Sequence, residues 1–433
     1  MTKITIIGTG MAGLGAAYQA LQENVSCVMY DKNDHHGGHT ASWSTTEGFV
    51  FDEGPHISFT KDKRIQAILE ENVGGKFESF SAHVNNYWQG QWIKHPAQCN
   101  LHGLPTSLVV KVLNDFIHAQ FKETNEINNY ADWLIASYGR TFAETFPMEY
   151  GLRYHTTTAD NMSTDWLGPR LYRPDIEEIL KGALNPVTDD VHYVGEFRYP
   201  SQGGFVSYLN KFFEKTNTRL SHRLTKLDPV NKKLWFENGT EANYHAIVSS
   251  IPLPELVPMI KGVPKKVLEA SQKLACTSCM TVNLGIARKD ISPAHWSYFY
   301  DRDFIFTRLS FPHMFASSNA PAGTGSIQAE IYYSKKYKSL EYNKQECIDR
   351  TIKDLQRCGL LSTDDKILYQ GARNIEYANI IFDLDRKEAL GIVHKYLEDN
   401  EIQVAGRYGK WGYHWTDESF KSGESAVKKI LGH

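Results

Sequence analysis

The stretch that most constrains the fold is Lys3–Tyr18, where a short apolar strand runs into a glycine-rich turn and then a helix of small residues. Gly8, Gly10 and Gly13 form G-x-G-x-x-G directly after the strand, which is the context that the dinucleotide-binding fingerprint requires. Gly8 permits the tight turn, Gly10 lets the backbone approach a pyrophosphate, and Gly13 lets the helix lie close to the strand. The first amides of that helix then face the phosphates. The sequence therefore predicts a dinucleotide-binding unit at its start.

A second apolar run, Val25–Tyr30, ends in Asp31, where an acidic side chain accepts hydrogen bonds from a ribose. An acid at this position disfavours a 2′-phosphate and therefore NADPH, so FAD and NAD remain. The pair Gly37-Gly38 follows shortly afterwards and suits a second backbone approach to the pyrophosphate, as in flavoproteins of the glutathione-reductase type. The alternative for this pair is a flexible surface turn. We expect FAD as the cofactor.

Composition narrows the class of protein. A chain of 433 residues is too long for one core and suggests two domains. The net charge of -3, with scattered Lys and Arg, gives no basic field for nucleic acid. No apolar run reaches the length of a membrane span, and the first strand begins too early for a signal peptide, so we expect a cytoplasmic protein without an integral membrane segment. The six cysteines have no framework or metal-site spacing; Cys276-x-x-Cys279 is interpreted as a pair of buried thiols, and no metal is predicted.

The predicted fold class is α/β, with a Rossmann-like FAD-binding domain of the glutathione-reductase type interleaved with an α+β substrate domain. The FAD-binding domain is expected over residues 1–75, 196–255 and 395–433, and the substrate-binding domain over 76–195 and 256–394. Within these, we expect helical structure over 127–154, a polar, loop-rich stretch over 160–195, and a helix from about Arg198 to Lys215. We also expect a terminal helix over Asp417–Ile430.

Five blocks, in order along the chain, resemble FAD-dependent enzymes of the amine oxidase and protoporphyrinogen oxidase superfamily, especially its branch near UDP-galactopyranose mutase. They are Gly8–Ala17, Asp52–Thr60, Gly151–Arg173, Tyr199–Phe205 and Gly406–Ser422. Gly54-Pro55-His56 resembles the mutase element beside the isoalloxazine, although the second His of that element is missing here. Arg407, Tyr413 and Asp417 resemble the closing flavin-contacting block, with one residue of extra spacing before Asp417.

The resemblance implies a set of cofactor-binding residues. They are Gly8, Gly10, Met11, Ala12, Gly13, Asp31, Lys32, Gly38, His39, Gly54, Pro55, His56, Gly406, Arg407, Tyr413 and Asp417. The alternatives are a structural role for His56 and a surface salt bridge for Arg407. A helix N-terminus or a cation near the flavin would stabilise its charge on reduction.

The resemblance also implies substrate contacts. Arg170 and Arg173 match the superfamily's W-x-x-x-R element, and guanidinium groups hold a diphosphate or carboxylate bidentately. The alternative is that they are surface arginines. The expected catalytic set is His56, Arg170, Arg173, Arg308 and Tyr377.

Three functions follow from the sequence. The first is an FAD-dependent oxidoreductase acting on a sugar-nucleotide or related glycan precursor. The second is a mutase-like flavoenzyme that isomerises a nucleotide sugar without net redox. The third is a flavin-binding module without activity. We expect a small-molecule substrate and no nucleic-acid partner, and the sequence leaves open whether the chain forms an oligomer.

Overall fold

The computed structural model describes residues 3–121, 126–168, 171–188 and 194–433. Its strands, in chain order, are β1 Ile4–Ile7, β2 Cys27–Tyr30, β3 Ser42–Ser44, β4 Val50–Asp52, β5 Phe77–Ser81, β6 Val84–Trp88, β7 Gln91–Lys94, β8 Glu196–Pro200, β9 Thr218–Arg219, β10 Leu224–Asp228, β11 Lys233–Phe236, β12 Glu241–Asn243, β13 Ala246–Ser249, β14 Thr277–Ile286, β15 Trp296–Phe299, β16 Arg308–Ser310, β17 Gly325–Ser334, β18 Ile367–Ile375 and β19 Ile402–Val404. Its α-helices are α1 Met11–Gln22, α2 Lys63–Asn72, α3 Thr106–Phe121, α4 Tyr130–Tyr138, α5 Arg140–Thr145, α6 Pro147–Tyr154, α7 Ile176–Leu184, α8 Asn210–Glu214, α9 Leu253–Met259, α10 Lys265–Lys273, α11 Lys344–Arg357, α12 Arg386–Asp399, α13 Gly406–Gly409 and α14 Thr416–Leu431.

A five-stranded parallel sheet carries the opening fingerprint. Its strand order is β19-β13-β1-β2-β9, so it collects strands from both ends and the middle of the chain. Helix α1 packs along α14 so closely that a Cβ added at Gly423 would lie 2.0 Å from the carbonyl oxygen of Ala12. The predicted α/β fold class, with a nucleotide-binding sheet built from separated segments, is confirmed. The exact domain boundaries stay a prediction.

A second, seven-stranded sheet has the order β18-β14-β17-β16-β15-β6-β7. Its pairings are antiparallel except for β15 beside β6. On β17 the apolar side chains of Ile327, Ala329 and Ile331 belong to a core cluster shared with α11. The intervening positions carry Gln328, Glu330 and Tyr332, because side chains alternate between the two faces of a strand. The sheet therefore presents one apolar and one polar face along this strand.

The stretch 127–154 is helical as predicted, and two other predicted elements differ from the structure. The region 127–154 forms three helices, because Gly139 adopts φ +77° after α4 and Pro147 begins α6. The region predicted to be loop-rich contains α7, whose N-cap Asp175 and Glu178 form a reciprocal capping box. The helix expected from Arg198 is instead β8, then a 3₁₀ turn at Phe205–Tyr208 and the short α8. Gly203 and Gly204 separate strand from turn with φ of +80° and +76°.

Candidate cofactor and substrate site

A cavity of about 660 Å³ lies between the two sheets, lined at one end by the fingerprint and at the other by tyrosines of the seven-stranded sheet and of neighbouring segments. We call the first end the glycine cradle, formed by Gly8, Gly10 and Gly38. We call the second end the tyrosine chamber, formed by Tyr154, Tyr298, Tyr332 and Tyr413. The two ends share one cavity, so a long ligand can contact both.

The glycine cradle is built from bare backbone. Helix α1 begins at Gly10 without a side chain capping its amides, and Gly10, Met11 and Ala12 line the cavity. A Cβ at Gly10 would lie 3.8 Å from the Cα of Gly38, so the two backbones face each other across a narrow gap. An uncapped helix N-terminus beside glycine backbone suits a pyrophosphate. The residues present therefore fit a dinucleotide.

Asp31 lies at the carboxyl end of β2 and lines the same cavity. Its Oδ2 accepts hydrogen bonds from the backbone N–H of Thr9 at 2.8 Å and from the Thr9 hydroxyl at 2.6 Å. Its Oδ1 accepts one from the Asn33 N–H at 2.9 Å, and a carboxylate oxygen can accept more than one such bond. Asp31 thus joins the fingerprint turn to β2 while keeping capacity to accept from a ribose hydroxyl.

Two histidines near the middle of the cavity are neutral in the folded protein. Burial lowers the pKa of His56 to about 4, and its Nδ1 lies 2.9 Å from the carbonyl oxygen of Gly54. Burial also lowers the pKa of His39 to about 3, with the positive charge of Arg407 acting in the same direction. Neither histidine supplies positive charge here at neutral pH.

Arg407 is a cation of this site that has no carboxylate partner among the described residues. Its guanidinium donates to the carbonyl oxygen of His414 at 2.8 Å and 3.0 Å and lies 5.0 Å from the ring centre of Tyr413. Burial lowers the pKa of Arg407, but the neighbouring tyrosines, Tyr408 first, outweigh this and leave it above its ordinary value. A buried cation without a counter-ion favours an anionic ligand.

Arg308 and Glu330 form an ion pair in the wall of the tyrosine chamber. They lie directly opposite each other on β16 and β17, and two guanidinium nitrogens, Nε and Nη2, donate to the two carboxylate oxygens, Nη2 at 2.9 Å. The hydroxyl of Tyr332 donates to Oε1 of Glu330 at 2.9 Å. Burial opposes the charge of Arg308, but Glu330 reverses the effect and raises its pKa. The arginine side chain is 22% exposed, so it stays accessible from the cavity.

Most of the predicted site residues line this one cavity. They are Gly8, Gly10, Met11, Ala12, Asp31, Lys32, Gly38, His39, Gly54, Pro55, His56, Arg308, Tyr377, Gly406, Arg407 and Tyr413. Lys32 lies 3.7 Å from Glu255 of α9, and the backbone oxygen of Tyr377 accepts from the Tyr408 hydroxyl at 2.9 Å. Their roles toward a ligand stay predictions.

Three predicted residues stand apart from this lining. Gly13 packs α1 on the strand, since a Cβ there would lie 2.0 Å from the Gly8 carbonyl oxygen. Asp417 accepts from the Thr60 hydroxyl at 2.6 Å instead of facing the cavity. Arg173 is exposed on the surface, with its Nη2 3.5 Å from Oε1 of Gln120, so the structure does not bring it to the site. Arg170 lies outside the described residues.

The sequence reasoning missed Tyr298, Glu330 and Tyr332. The signal for the last two is the alternation in β17, where polar side chains occupy every second position of a buried strand. Buried polar side chains in a strand need partners, and here the partner of Glu330 is on the neighbouring strand.

Cys276 and Cys279 are free thiols whose pKa burial raises, to about 12 for Cys276. No group of three metal-ligating side chains occurs in the described part of the chain.

Comparison with known proteins shows which proteins this chain is similar to. Residues 6–72 match the family described as NAD(P)-binding Rossmann-like domain. A 4,4'-diaponeurosporene oxygenase of Staphylococcus haemolyticus (strain JCSC1435) is 47% identical over 55 residues, which is 13% of this chain and 11% of that protein. The chain thus spans about a tenth of that curated relative. In residues 3–121, 126–168, 171–188 and 194–433, no helix has both the length and the apolar character to cross a bilayer.

Solved structures match over the whole chain. A reduced UDP-galactopyranose mutase superposes with a TM-score of 0.94 at 24% identity, covering 100% of this chain and 96% of that one. A candidate protoporphyrinogen oxidase from Exiguobacterium sp. 255-15 has a TM-score of 0.77 at 16% identity, covering 100% and 99%. The predicted resemblance is confirmed at the level of fold. The chain has the fold of the FAD-dependent enzymes of the amine oxidase and protoporphyrinogen oxidase superfamily, in the form that UDP-galactopyranose mutase shows.

Proposed function

We propose that the protein is an FAD-dependent enzyme that isomerises a nucleotide-linked sugar, as its structural neighbour's name indicates for that protein. The observation that carries the proposal is the continuous cavity, with a backbone cradle at one end and a tyrosine-lined chamber near the buried cation Arg407 at the other. The near-complete superposition on a UDP-galactopyranose mutase supports it.

The chain's own residues would divide the ligands between the two ends. The glycine cradle and the amides of α1 would bind the pyrophosphate of FAD, with Asp31 accepting from its ribose. Bound FAD would supply a nucleophile when reduced, or a hydride acceptor when oxidised. Arg407, which has no carboxylate partner among the described residues, would offset the negative charge of the nucleotide diphosphate, and Arg308, paired with Glu330, would contribute its remaining nitrogen Nη1.

The tyrosine chamber would hold the sugar and keep water out. Burial raises the pKa of Tyr154 and Tyr332 well above their ordinary value, so both hydroxyls stay protonated. The Tyr332 hydroxyl is already held by Glu330. Burial keeps His39 and His56 neutral at neutral pH, so His56 would act by shape or as a neutral hydrogen-bonding group.

Oxidation of a related sugar substrate is the second candidate. It is favoured by the absence of the second histidine of the mutase element, where Ser58 and Phe59 stand instead. In that case the hydride would pass to oxidised flavin and no general base is strictly required.

One experiment tests both. The protein, loaded with FAD, is mixed without oxygen with a panel of nucleotide sugars including UDP-galactopyranose, in oxidised and in dithionite-reduced form. Product formed by the reduced form alone, with no net change in flavin absorbance, supports isomerisation. Bleaching of the oxidised flavin by a sugar nucleotide supports oxidation. A protein that takes up no FAD contradicts both.

A further inference from the structure

A second cavity, of about 500 Å³, lies next to the tyrosine chamber and shares Tyr332 with it. Its lining comes from the end of α6, the segment 302–307, the end of β17, the segment 338–342 and α11. No part of the function proposed above uses these residues apart from Tyr332.

The lining of the second cavity is strongly cationic. Its basic side chains are Arg153, Arg302, Lys338, Arg350, Lys353 and Arg357, and its acidic ones are Asp303, Glu341 and Asp354. The whole chain has a net charge of -3, so this excess of positive charge is local. A cleft lined by one sign of charge concentrates ligands of the opposite sign.

Two of the six cationic side chains form ion pairs with carboxylates of the protein. Arg302 is held by Glu149, and Arg357 lies 3.1 Å from Asp303 and 3.7 Å from Asp354. The other four cationic side chains have no carboxylate of a described residue within salt-bridge distance. They are Arg153, Lys338, Arg350 and Lys353. They are left available to an external anion.

Arg153 is the buried member of this set, with 6% of its surface exposed. Its guanidinium donates to the carbonyl oxygens of Phe299 at 2.9 Å and Phe304 at 2.7 Å, and also to that of Phe306. Carbonyl oxygens satisfy N–H groups but carry no net charge, so the buried cation remains uncompensated. Burial lowers the pKa of Arg153 to about 10, and burial together with the charge of Arg153 lowers the pKa of Lys338. An anion bound here would offset both effects.

We propose that the second cavity binds a small molecule bearing a diphosphate group. Arg350 lies with its guanidinium carbon 4.0 Å from the ring centre of Tyr342, which restrains the planar group, and the buried Arg153 lines the cavity. Lys338 and Lys353 are exposed on its lining and add point charges. Planar guanidinium groups and ammonium groups together match phosphate oxygens.

The test uses FAD-loaded protein and isothermal titration with two probes, inorganic diphosphate and ADP. The triple variant Lys338→Ala, Arg350→Ala, Lys353→Ala removes exposed cations and spares buried Arg153, so the fold is kept. We expect saturable binding to wild type, weakened by added salt, and about tenfold or greater loss of affinity in the triple variant. Similar affinity for both probes identifies free diphosphate as sufficient, whereas tighter binding of ADP identifies a nucleotide; both support the proposal.

Two single variants serve as controls. Lys344→Ala removes an exposed lysine of the same helix outside the lining, and Arg373→Ala removes an exposed arginine of the first cavity. Both should bind the probes as wild type does. The proposal is overturned by absence of saturable binding, by unchanged affinity in the triple variant, or by loss of binding in Arg373→Ala with the triple variant unaffected. A diphosphate bound at Arg308 and Arg407 of the first cavity would persist in the triple variant, so unchanged binding in that variant overturns this proposal without contradicting the proposed function.

Discussion

The two ends of the main cavity are built in different ways. The glycine cradle consists of main chain from within residues 8–38, and its shape depends on the absence of side chains. The tyrosine chamber consists of side chains from α6, β15, β17 and the segment before α14, which lie far apart in sequence. This comparison shows that a site made of backbone is determined by one short segment of the sequence, whereas a site made of side chains depends on how distant strands pair.

The two ends also differ in their electrostatics. The cradle attracts negative charge through amide groups at the start of α1 and needs no charged side chain. The chamber contains the paired Arg308 and Glu330, and nearby Arg407 without a carboxylate partner in the described residues. Substitutions at the cradle should therefore act on cofactor content, and substitutions in the chamber on stability and on substrate.

The largest expected effect comes from filling the cradle. In Gly10→Val the Cβ itself meets ordinary contacts, 3.7 Å from the Gly37 carbonyl oxygen, while the added methyl groups would fill the space proposed for the pyrophosphate. We expect FAD content to fall by about tenfold or more with the fold retained. The measurement is flavin absorbance per protein after purification, with circular dichroism as the check on folding. Gly391→Val, at an open position inside α12, is the matched control and should keep its flavin.

The second-largest expected effect is a loss of stability on substitution in the tyrosine chamber, and it distinguishes the chamber from the glycine cradle. Arg308→Ala leaves the carboxylate of Glu330 unpaired, with 4% of its side chain exposed, and we expect a loss of roughly 3 kcal/mol in the free energy of unfolding. The double variant Arg308→Met, Glu330→Met should recover much of that loss, because no buried charge remains. Urea unfolding measures both. Flavin content should change little in either variant; a loss as complete as that of Gly10→Val would contradict the division between the two ends.

The glycine cradle and the tyrosine chamber also differ in how well the sequence predicts them. The positions of Gly8, Gly10 and Asp31 could be predicted because strand, turn and helix fix them within one short segment. Glu330 could not, because its role depends on the register that places it opposite Arg308. The parallel sheet was predictable in kind, whereas α7 was missed although Asp175 and Glu178 have the spacing of a capping box.

A third prediction concerns the neutral histidine at the boundary between the two ends. The pKa of His56 is about 4 in the folded protein and 6.5 without the fold, so the unfolded chain binds more protons between these values. His56 therefore contributes a stability that is present above pH 6.5 and is lost as the pH falls toward 4, by up to about 3 kcal/mol. His56→Gln should flatten this part of the stability curve measured by urea unfolding at each pH. Equal slopes for variant and wild type would show that His56 titrates normally.

The smallest expected effect is at Arg173, which the sequence places in the substrate site and the structure places on the surface. Its side chain is exposed, its nearest polar contact is Gln120 at 3.5 Å, and it does not line the cavity. Arg173→Ala should change the free energy of unfolding by less than about 0.5 kcal/mol and leave the KM for a nucleotide sugar unchanged. Arg308→Lys is the comparison, since a point charge replaces the bidentate fork and should raise that KM. A raised KM in Arg173→Ala would mean that the segment carrying Arg173 moves over the cavity when substrate binds, and the tyrosine chamber would then include residues that the sequence pattern identified correctly.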